Sequence, residues 1–71
     1  MSDEVIAEMV ANVWKVLVAE GDEIGEGETI CILESMKMEI PVESPSAGTI
    51  SAVKVAEGET VQEGDVIAVI D

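Results

Sequence analysis

The sequence predicts an all-β fold, either a small sandwich or a flattened barrel, built from two similar halves. The 71 residues allow one domain at most. Apolar residues make up 48% of the chain, yet Trp14 is the only aromatic one, so Val, Ile, Leu, Ala and Met must fill the core of a pleated sheet. An internal repeat divides the chain in two. Short antiparallel strands in two halves favour a closed arrangement, because closure protects apolar strand edges.

The repeat relates residues 9–34 to residues 46–71 at a constant offset of 37. Three segment pairs carry it: VLVAEGD at 16–22 with VKVAEGE at 53–59, IGEGE at 24–28 with VQEGD at 61–65, and ICILE at 30–34 with IAVID at 67–71. Two such halves in one small domain predict a pseudo-two-fold axis.

Each half has the pattern of a strand, a turn, a short strand, a turn and a strand. We expect strands near 12–18, 29–34, 38–43, 49–55 and 66–70, with short pieces near 23–25 and 60–62. Residues 5–10 are compatible with a helix or a strand, and we expect a strand because nothing else in the chain is helical.

The repeat also predicts which side chains face inward. Leu17 aligns with Lys54, so this position is expected to face solvent. The valines on either side of it, Val16, Val18, Val53 and Val55, would then face the core.

Four glycines repeat between the halves, in turns that combine glycine with acidic residues. They are Gly21, Gly27, Gly58 and Gly64. Their recurrence indicates positions with positive φ. Because they follow no phosphate-binding spacing, we interpret them as structural.

The net charge of −13 argues against a nucleic acid or an anionic membrane surface as a partner. Either solubility or steering toward a basic protein surface explains the charge. Cys31 cannot form an internal disulfide and is expected to be a buried small hydrophobe, which suits a reducing compartment. No apolar stretch is long enough to span a bilayer, and the acidic start Met-Ser-Asp-Glu does not resemble a signal peptide. We therefore expect a cytoplasmic protein.

The chain contains no histidine, which excludes imidazole zinc sites and Ser-His or Cys-His nucleophiles. One cysteine leaves no thiolate cluster. Carboxylates are plentiful, but a chain this short would struggle to bury a catalytic pair. We expect neither a metal site nor an autonomous enzyme.

The segment between the halves, ESMKMEIP at 34–41, has no counterpart in the repeat. An insertion between symmetric halves, flanked by strands, predicts a projecting hairpin at 35–39. It carries Lys37, whereas the other two lysines, Lys15 and Lys54, are expected in mid-strand. A lysine on a hairpin tip is usually only a solvated charge. Its primary amine is, however, also the group needed to form an amide with an activated acyl group.

Met36-Lys37-Met38, preceded by Glu34-Ser35, resembles the biotinylation motif of biotin carboxyl carrier domains. The resemblance runs from about Ala7 to Asp71. It includes the run PSAGTI at 45–50 and the repeated Glu-Gly turns, and it is closest to stand-alone biotin/lipoyl attachment proteins.

This resemblance implies one domain over residues 1–71, a flattened barrel of two four-stranded antiparallel sheets. It implies that biotin protein ligase attaches biotin covalently to Lys37 and recognises the flanking Met36 and Met38. The biotin would accept a carboxyl group at a biotin carboxylase and pass it on at a carboxyltransferase, so the chain would be a carrier subunit. Ala19–Glu28 is no longer than Ala56–Asp65, so the inserted thumb of some carriers is expected to be missing.

Two other functions remain open at this point. Lipoyl carriers also place a glutamate three residues before the lysine, as Glu34 is here, but usually have Asp-Lys-Ala where this chain has Met36-Lys37-Met38. Lipoate is thus a second possible cofactor on Lys37. Adaptor proteins use the same fold for assembly alone, since fold does not fix function.

The residues around the lysine also have alternative interpretations. Met36 and Met38 could share a strand face and cover the end of the barrel. Glu34 and Glu39 could either orient Lys37 or be solvated hairpin charges.

Overall fold

The computed structural model describes residues 3–71, which form eight β-strands and no helix. The strands are β1 (Asp3–Ile6), β2 (Ala11–Val16), β3 (Glu23–Ile24), β4 (Thr29–Ser35), β5 (Met38–Glu43), β6 (Gly48–Val53), β7 (Thr60–Val61) and β8 (Val66–Ile70). They make two four-stranded sheets, β1-β8-β6-β3 and β5-β4-β2-β7, in which every pairing is antiparallel. The predicted fold class is confirmed.

The offset of 37 residues holds for the strands themselves. β2 and β6 start at Ala11 and Gly48, and β4 and β8 start at Thr29 and Val66. Each strand of one sheet thus has its counterpart in the same place in the other. The symmetry extends to β1, which corresponds to the second part of β5 and lies outside the repeat found in the sequence.

Hydrogen bonds between the halves obey the same symmetry. Gly21 N donates to Ile50 O at 2.8 Å, and Gly58 N donates to Val13 O at the same distance. Inside each turn the same equivalence holds, since the carboxylate of Asp22 accepts from Ala19 N as that of Glu59 does from Ala56 N. The two halves are therefore interlocked, with each one closing the turns of the other.

Each sheet turns one apolar face toward the other to form the core. The buried apolar residues are Val5, Ala7, Ala11, Val13, Ile24, Ile30, Cys31, Leu33, Ile50, Val61, Ile67, Ala68 and Ile70. Val16, Val18, Val53 and Val55 pack against this core, whereas Leu17 and Lys54 are exposed, as predicted. Burial of Cys31 is also confirmed, and it raises the pKa of the thiol to about 11.

The predicted positive φ is found at all four repeated glycines, with values of 94° at Gly21, 85° at Gly27, 93° at Gly58 and 91° at Gly64. An L-residue is sterically disfavoured in this conformation, whereas glycine adopts it freely. Their interpretation as structural turn residues fits this geometry.

The strand expected over 5–10 is only partly right, because β1 ends at Ile6. Residues 7–10 instead carry the chain from the first sheet to the second. Ala7 makes this crossing rigid, since its N–H donates to Asp65 O and its carbonyl accepts from Gly64 N. The strands expected to end at 18 and 55 also stop earlier, at Val16 and Val53, which leaves Lys54 just beyond β6.

Candidate functional site

The hairpin of β4 and β5 ends in a two-residue loop formed by Met36 and Lys37. Ser35 pairs with Met38 across its base, and the ladder continues through Glu34 with Glu39. Met36 has φ 53° and Lys37 has φ 65°. Positive φ at both central residues of a two-residue loop is the signature of a type I′ turn. The hairpin predicted at 35–39 therefore places Lys37 in its apex.

This turn has an unfavourable sequence for its shape. Type I′ turns favour Asn-Gly or Gly-Gly, because other residues pay a steric cost of about 1–2 kcal/mol in the left-handed region. Met36 and Lys37 are the only non-glycine residues with positive φ among residues 3–71. Local strain that persists in a folded chain is often found at functional sites. Nothing in the sequence predicts this pair of left-handed residues, because neither position carries a residue that favours turns.

The side chains at the apex are open to solvent. Met36 is 89% exposed, Met38 is 60% exposed, and Lys37 is also exposed. The alternative in which both methionines cover the end of the barrel is therefore wrong for Met36, which buries almost nothing. Within residues 3–71, the Lys37 ammonium has no hydrogen bond and no ion pair. The amine is thus accessible from solvent and engaged by no other group in this part of the chain.

Glu34 and Glu39 lie directly opposite each other on neighbouring strands. Both are exposed, and neither carboxylate bonds to Lys37 or to any other group in the described part of the chain. The structure therefore gives no support to an orienting contact with the lysine. Like charges at facing positions repel, so this pair stabilises nothing locally and leaves negative charge beside the apex.

The other two lysines occupy different settings. The ladder between β2 and β4 is irregular between Val13 and Lys15, which leaves Trp14 and Lys15 exposed side by side. The Lys15 ammonium lies 5.7 Å from the centroid of the Trp14 ring, within range of a cation–π interaction. Lys54 follows the end of β6. Only Lys37 stands at the apex of a hairpin.

Other kinds of site are not found in the described residues. Between Asp3 and Asp71, no three His, Cys, Asp or Glu side chains are grouped so that they could hold a metal ion. No helix in this part of the chain is long and apolar enough to cross a membrane.

Comparison with known proteins covers almost the whole chain. The profile of a family described as "Biotin-requiring enzyme" matches residues 3–70. A Mycobacterium leprae protein, "Biotinylated protein TB7.3 homolog", is 54% identical over 70 residues, covering 99% of both chains. The "Biotin/lipoyl attachment protein" of Bacillus subtilis is 49% identical over 47 residues, 66% of this chain and 64% of that protein.

Two solved structures share the fold. The urea carboxylase of Kluyveromyces lactis superimposes with a TM-score of 0.93 and 30% identity, covering 100% of this chain and 6% of that one. A single-chain, multi-domain long-chain acyl-CoA carboxylase superimposes with a TM-score of 0.89 and 31% identity, covering 96% of this chain and 7% of that one. The chain thus corresponds to a small part of each of these carboxylases.

Proposed function

We propose that Lys37 bears the biotin of this chain, which belongs to the family of biotin-requiring enzymes and is a biotin carboxyl carrier. The observation that carries the proposal is the left-handed two-residue turn, which places a free lysine amine at the apex of a rigid hairpin. The carrier itself catalyses nothing, since the bound cofactor supplies a ureido group that holds and releases a carboxyl group.

Attachment requires only the amine from this chain. The neutral amine attacks the activated acyl carbon of biotin, an amide bond forms, the bond to the activating phosphate breaks, and the amine proton is lost. Among residues 3–71 no group contacts the Lys37 amine. The base must therefore come from the enzyme that attaches the cofactor, and we propose biotin protein ligase for this role. Met36 and Met38 are the exposed flanks that such a ligase would recognise.

The hairpin then delivers the cofactor. The lysine side chain and the acyl chain of biotin together make an arm of roughly 12–14 Å at standard bond lengths. Tethering to a rigid support gives each active site a high effective concentration of cofactor. The carrier works with the components of a biotin-dependent carboxylase. We propose that the biotinylated arm enters the active sites of two of them, biotin carboxylase and carboxyltransferase.

We also propose that the protein acts in the cytoplasm. The buried thiol of Cys31 has no disulfide partner in this chain and suits a reducing compartment. Cell fractionation with detection of the biotinyl group would test this, and recovery from an oxidising compartment would contradict it.

The attachment site is tested by intact mass after incubation with biotin, ATP and biotin protein ligase. We expect one biotinyl group on the chain, none on Lys37→Arg, and one on each of the controls Lys15→Arg and Lys54→Arg. These controls are matched because the chain has only three lysines. Modification that persists in Lys37→Arg would refute the assignment.

The same measurement distinguishes lipoylation, because a lipoyl group adds a different mass. A second candidate function deserves this control, since the Bacillus subtilis relative is described as a biotin/lipoyl attachment protein. Incubation with lipoate and a lipoate ligase should leave Lys37 unmodified if the two methionines specify biotin. Complete lipoylation would show that Lys37 serves both cofactors.

A further inference from the structure

Within the described chain, the large exposed apolar side chains all lie between residues 6 and 38. The large ones are Ile6, Met9, Val10, Trp14, Leu17, Met36 and Met38. Residues 39–71 contribute none to this set. In a pseudo-symmetric fold this difference is informative, because each half is an internal control for what the shared backbone requires.

The clearest difference lies in the crossing between β1 and β2. Met9 and Val10 correspond to Ser46 and Ala47 in the second half. The backbone is the same in both places: Ala7 exchanges hydrogen bonds with Asp65 and Gly64 as Ser44 does with Glu28 and Gly27. Yet Met9 is 42% exposed and Val10 is 61% exposed. The shared backbone therefore does not itself require large apolar residues at these two positions.

These two residues lie at the same end of the molecule as the lysine. Asn12 pairs with Glu34 at the hairpin end of the ladder between β2 and β4, so Val10, just ahead of β2, lies at that end as well. Met9 lines a groove of about 390 Å³ between β1 and β5 together with Leu33 and Ile40. We call Met9, Val10, Met36 and Met38 the apolar tip surface.

We propose that Met9 and Val10 extend the surface on which biotin protein ligase docks beyond the hairpin and onto the crossing between β1 and β2. The apolar tip surface would then fit an apolar depression rimmed by basic side chains. This rests on the proposed function of Lys37. The unmodified lysine arm extends only about 6 Å from the backbone at standard bond lengths. An enzyme that acylates its amine must therefore approach the hairpin closely and touch its surroundings, whereas the carboxylase sites are reached by the longer biotinylated arm.

Charge around the surface supports a basic rim on the ligase. Glu8, Glu34 and Glu39 are exposed near the apex, and the whole chain has a net charge of −13. Complementary charge accelerates encounter and fixes orientation, while the apolar side chains supply the contact area. Ser46 and Ala47 lack this apolar contact area at the opposite end, where exposed acids such as Asp3 and Glu43 also occur, so the apolar residues distinguish the lysine end.

The test exchanges residues between the halves. Met9→Ser with Val10→Ala gives the first half the sequence of the second at these positions. The matched control is Leu17→Lys, because Leu17 is 52% exposed, corresponds to Lys54, and hydrogen-bonds Ile30 near the other end of β4. Ligase kinetics are measured with saturating biotin and ATP, and denaturant midpoints are measured in parallel.

We expect the double variant to raise the KM for the carrier about five- to tenfold with little change in kcat, as for loss of exposed contacts that assist docking. The control and the denaturant midpoints should match the parent chain. Val10→Lys alone offers a second variant at an exposed position and should raise KM further by repelling the basic rim.

The proposal would be overturned if the folded double variant and Val10→Lys both had the same KM as the parent chain. It would also be overturned if the parent chain were a dimer that the double variant makes monomeric, because the surface would then bind a second copy. Failure of the Lys37 assignment is a separate result, since the parent chain itself would not be biotinylated on that residue.

Discussion

Replacing Met36 by glycine should stabilise the protein, although it removes a whole side chain. Met36 has φ 53° and is 89% exposed, so it pays the left-handed penalty and buries almost nothing in return. That penalty is about 1–2 kcal/mol for an L-residue. Glycine escapes it but loses roughly 0.5–1 kcal/mol more conformational entropy on folding. The difference of these two ranges is a net gain in the free energy of unfolding of about 0–1.5 kcal/mol, centred near 0.75 kcal/mol.

Met38 provides a control of opposite sign. It is 60% exposed but begins β5, and its φ is not positive. Glycine there relieves no strain and brings the same entropy cost, so Met38→Gly should lower the free energy of unfolding by about 0.5–1 kcal/mol. Urea titration followed by the fluorescence of Trp14 would measure the free energy of unfolding of both variants. In thermal unfolding, the Tm should shift by about 4–8 °C per kcal/mol. If Met36→Gly destabilised the chain as much as Met38→Gly does, strain at the apex would be refuted.

Alanine variants at the same two positions separate strain from recognition. Met36→Ala and Met38→Ala keep a Cβ and should each cost less than the roughly 2–5 kcal/mol of a buried Met→Ala change. Both should nevertheless slow biotinylation if the methionines are the flanks that the ligase recognises. A large loss of stability with normal biotinylation would reverse this interpretation.

Three further predictions concern the scaffold. Gly21→Val and Gly58→Val, at φ 94° and 93° with no atom within 4 Å of an added Cβ, should each cost about 1–2 kcal/mol in denaturant titrations and leave biotinylation of the folded protein unchanged. Gly48→Ala should cost about 1–3 kcal/mol in the same titrations, because its Cβ would overlap the Asp71 carbonyl oxygen and lie 2.8 Å from Ile70 Cγ2. For Cys31, the pKa is about 11 in the fold against an ordinary value of 9.0, so between these pH values the unfolded chain loses a proton that the folded chain keeps. Stability should therefore fall by about 1.4 kcal/mol per pH unit in that window relative to Cys31→Ala, and parallel pH profiles for the two proteins would contradict this.

The sequence was most informative where one physical requirement is repeated. The positive φ at Gly21 and Gly58 was predictable because each glycine stands in the same turn of each half, and the same alignment identified Leu17 and Lys54 as outward-facing. Here local preference, pattern and symmetry agree, which is the condition under which a sequence specifies its structure.

Other features could not be predicted because tertiary contacts override local preference. Nothing in Met36-Lys37 favours a left-handed turn, and the ladder of β4 with β5 imposes it. The end of β1 at Ile6 depends on the bonds that Ala7 makes to a turn almost sixty residues away. The exposed pair Trp14 and Lys15 depends on an irregular register that periodicity does not reveal.

The pseudo-two-fold axis also explains how one small fold serves both free carriers and large enzymes. Asp3 pairs with Ile70 in the first sheet, and the symmetry-related pair in the second sheet is Ile40 with Leu33. The start of β1 and the end of β8 therefore occupy the place in the first sheet that the Lys37 hairpin occupies in the second. Ala7 lies near Asp65, at the end of β1 that faces the hairpin side, so β1 starts at the opposite end of a molecule 33 Å long. Any chain joined to these two strands therefore leaves the fold far from the lysine. Lys37 and the apolar tip surface therefore stay accessible, because the chain connections and the hairpin lie at opposite ends of the sheets.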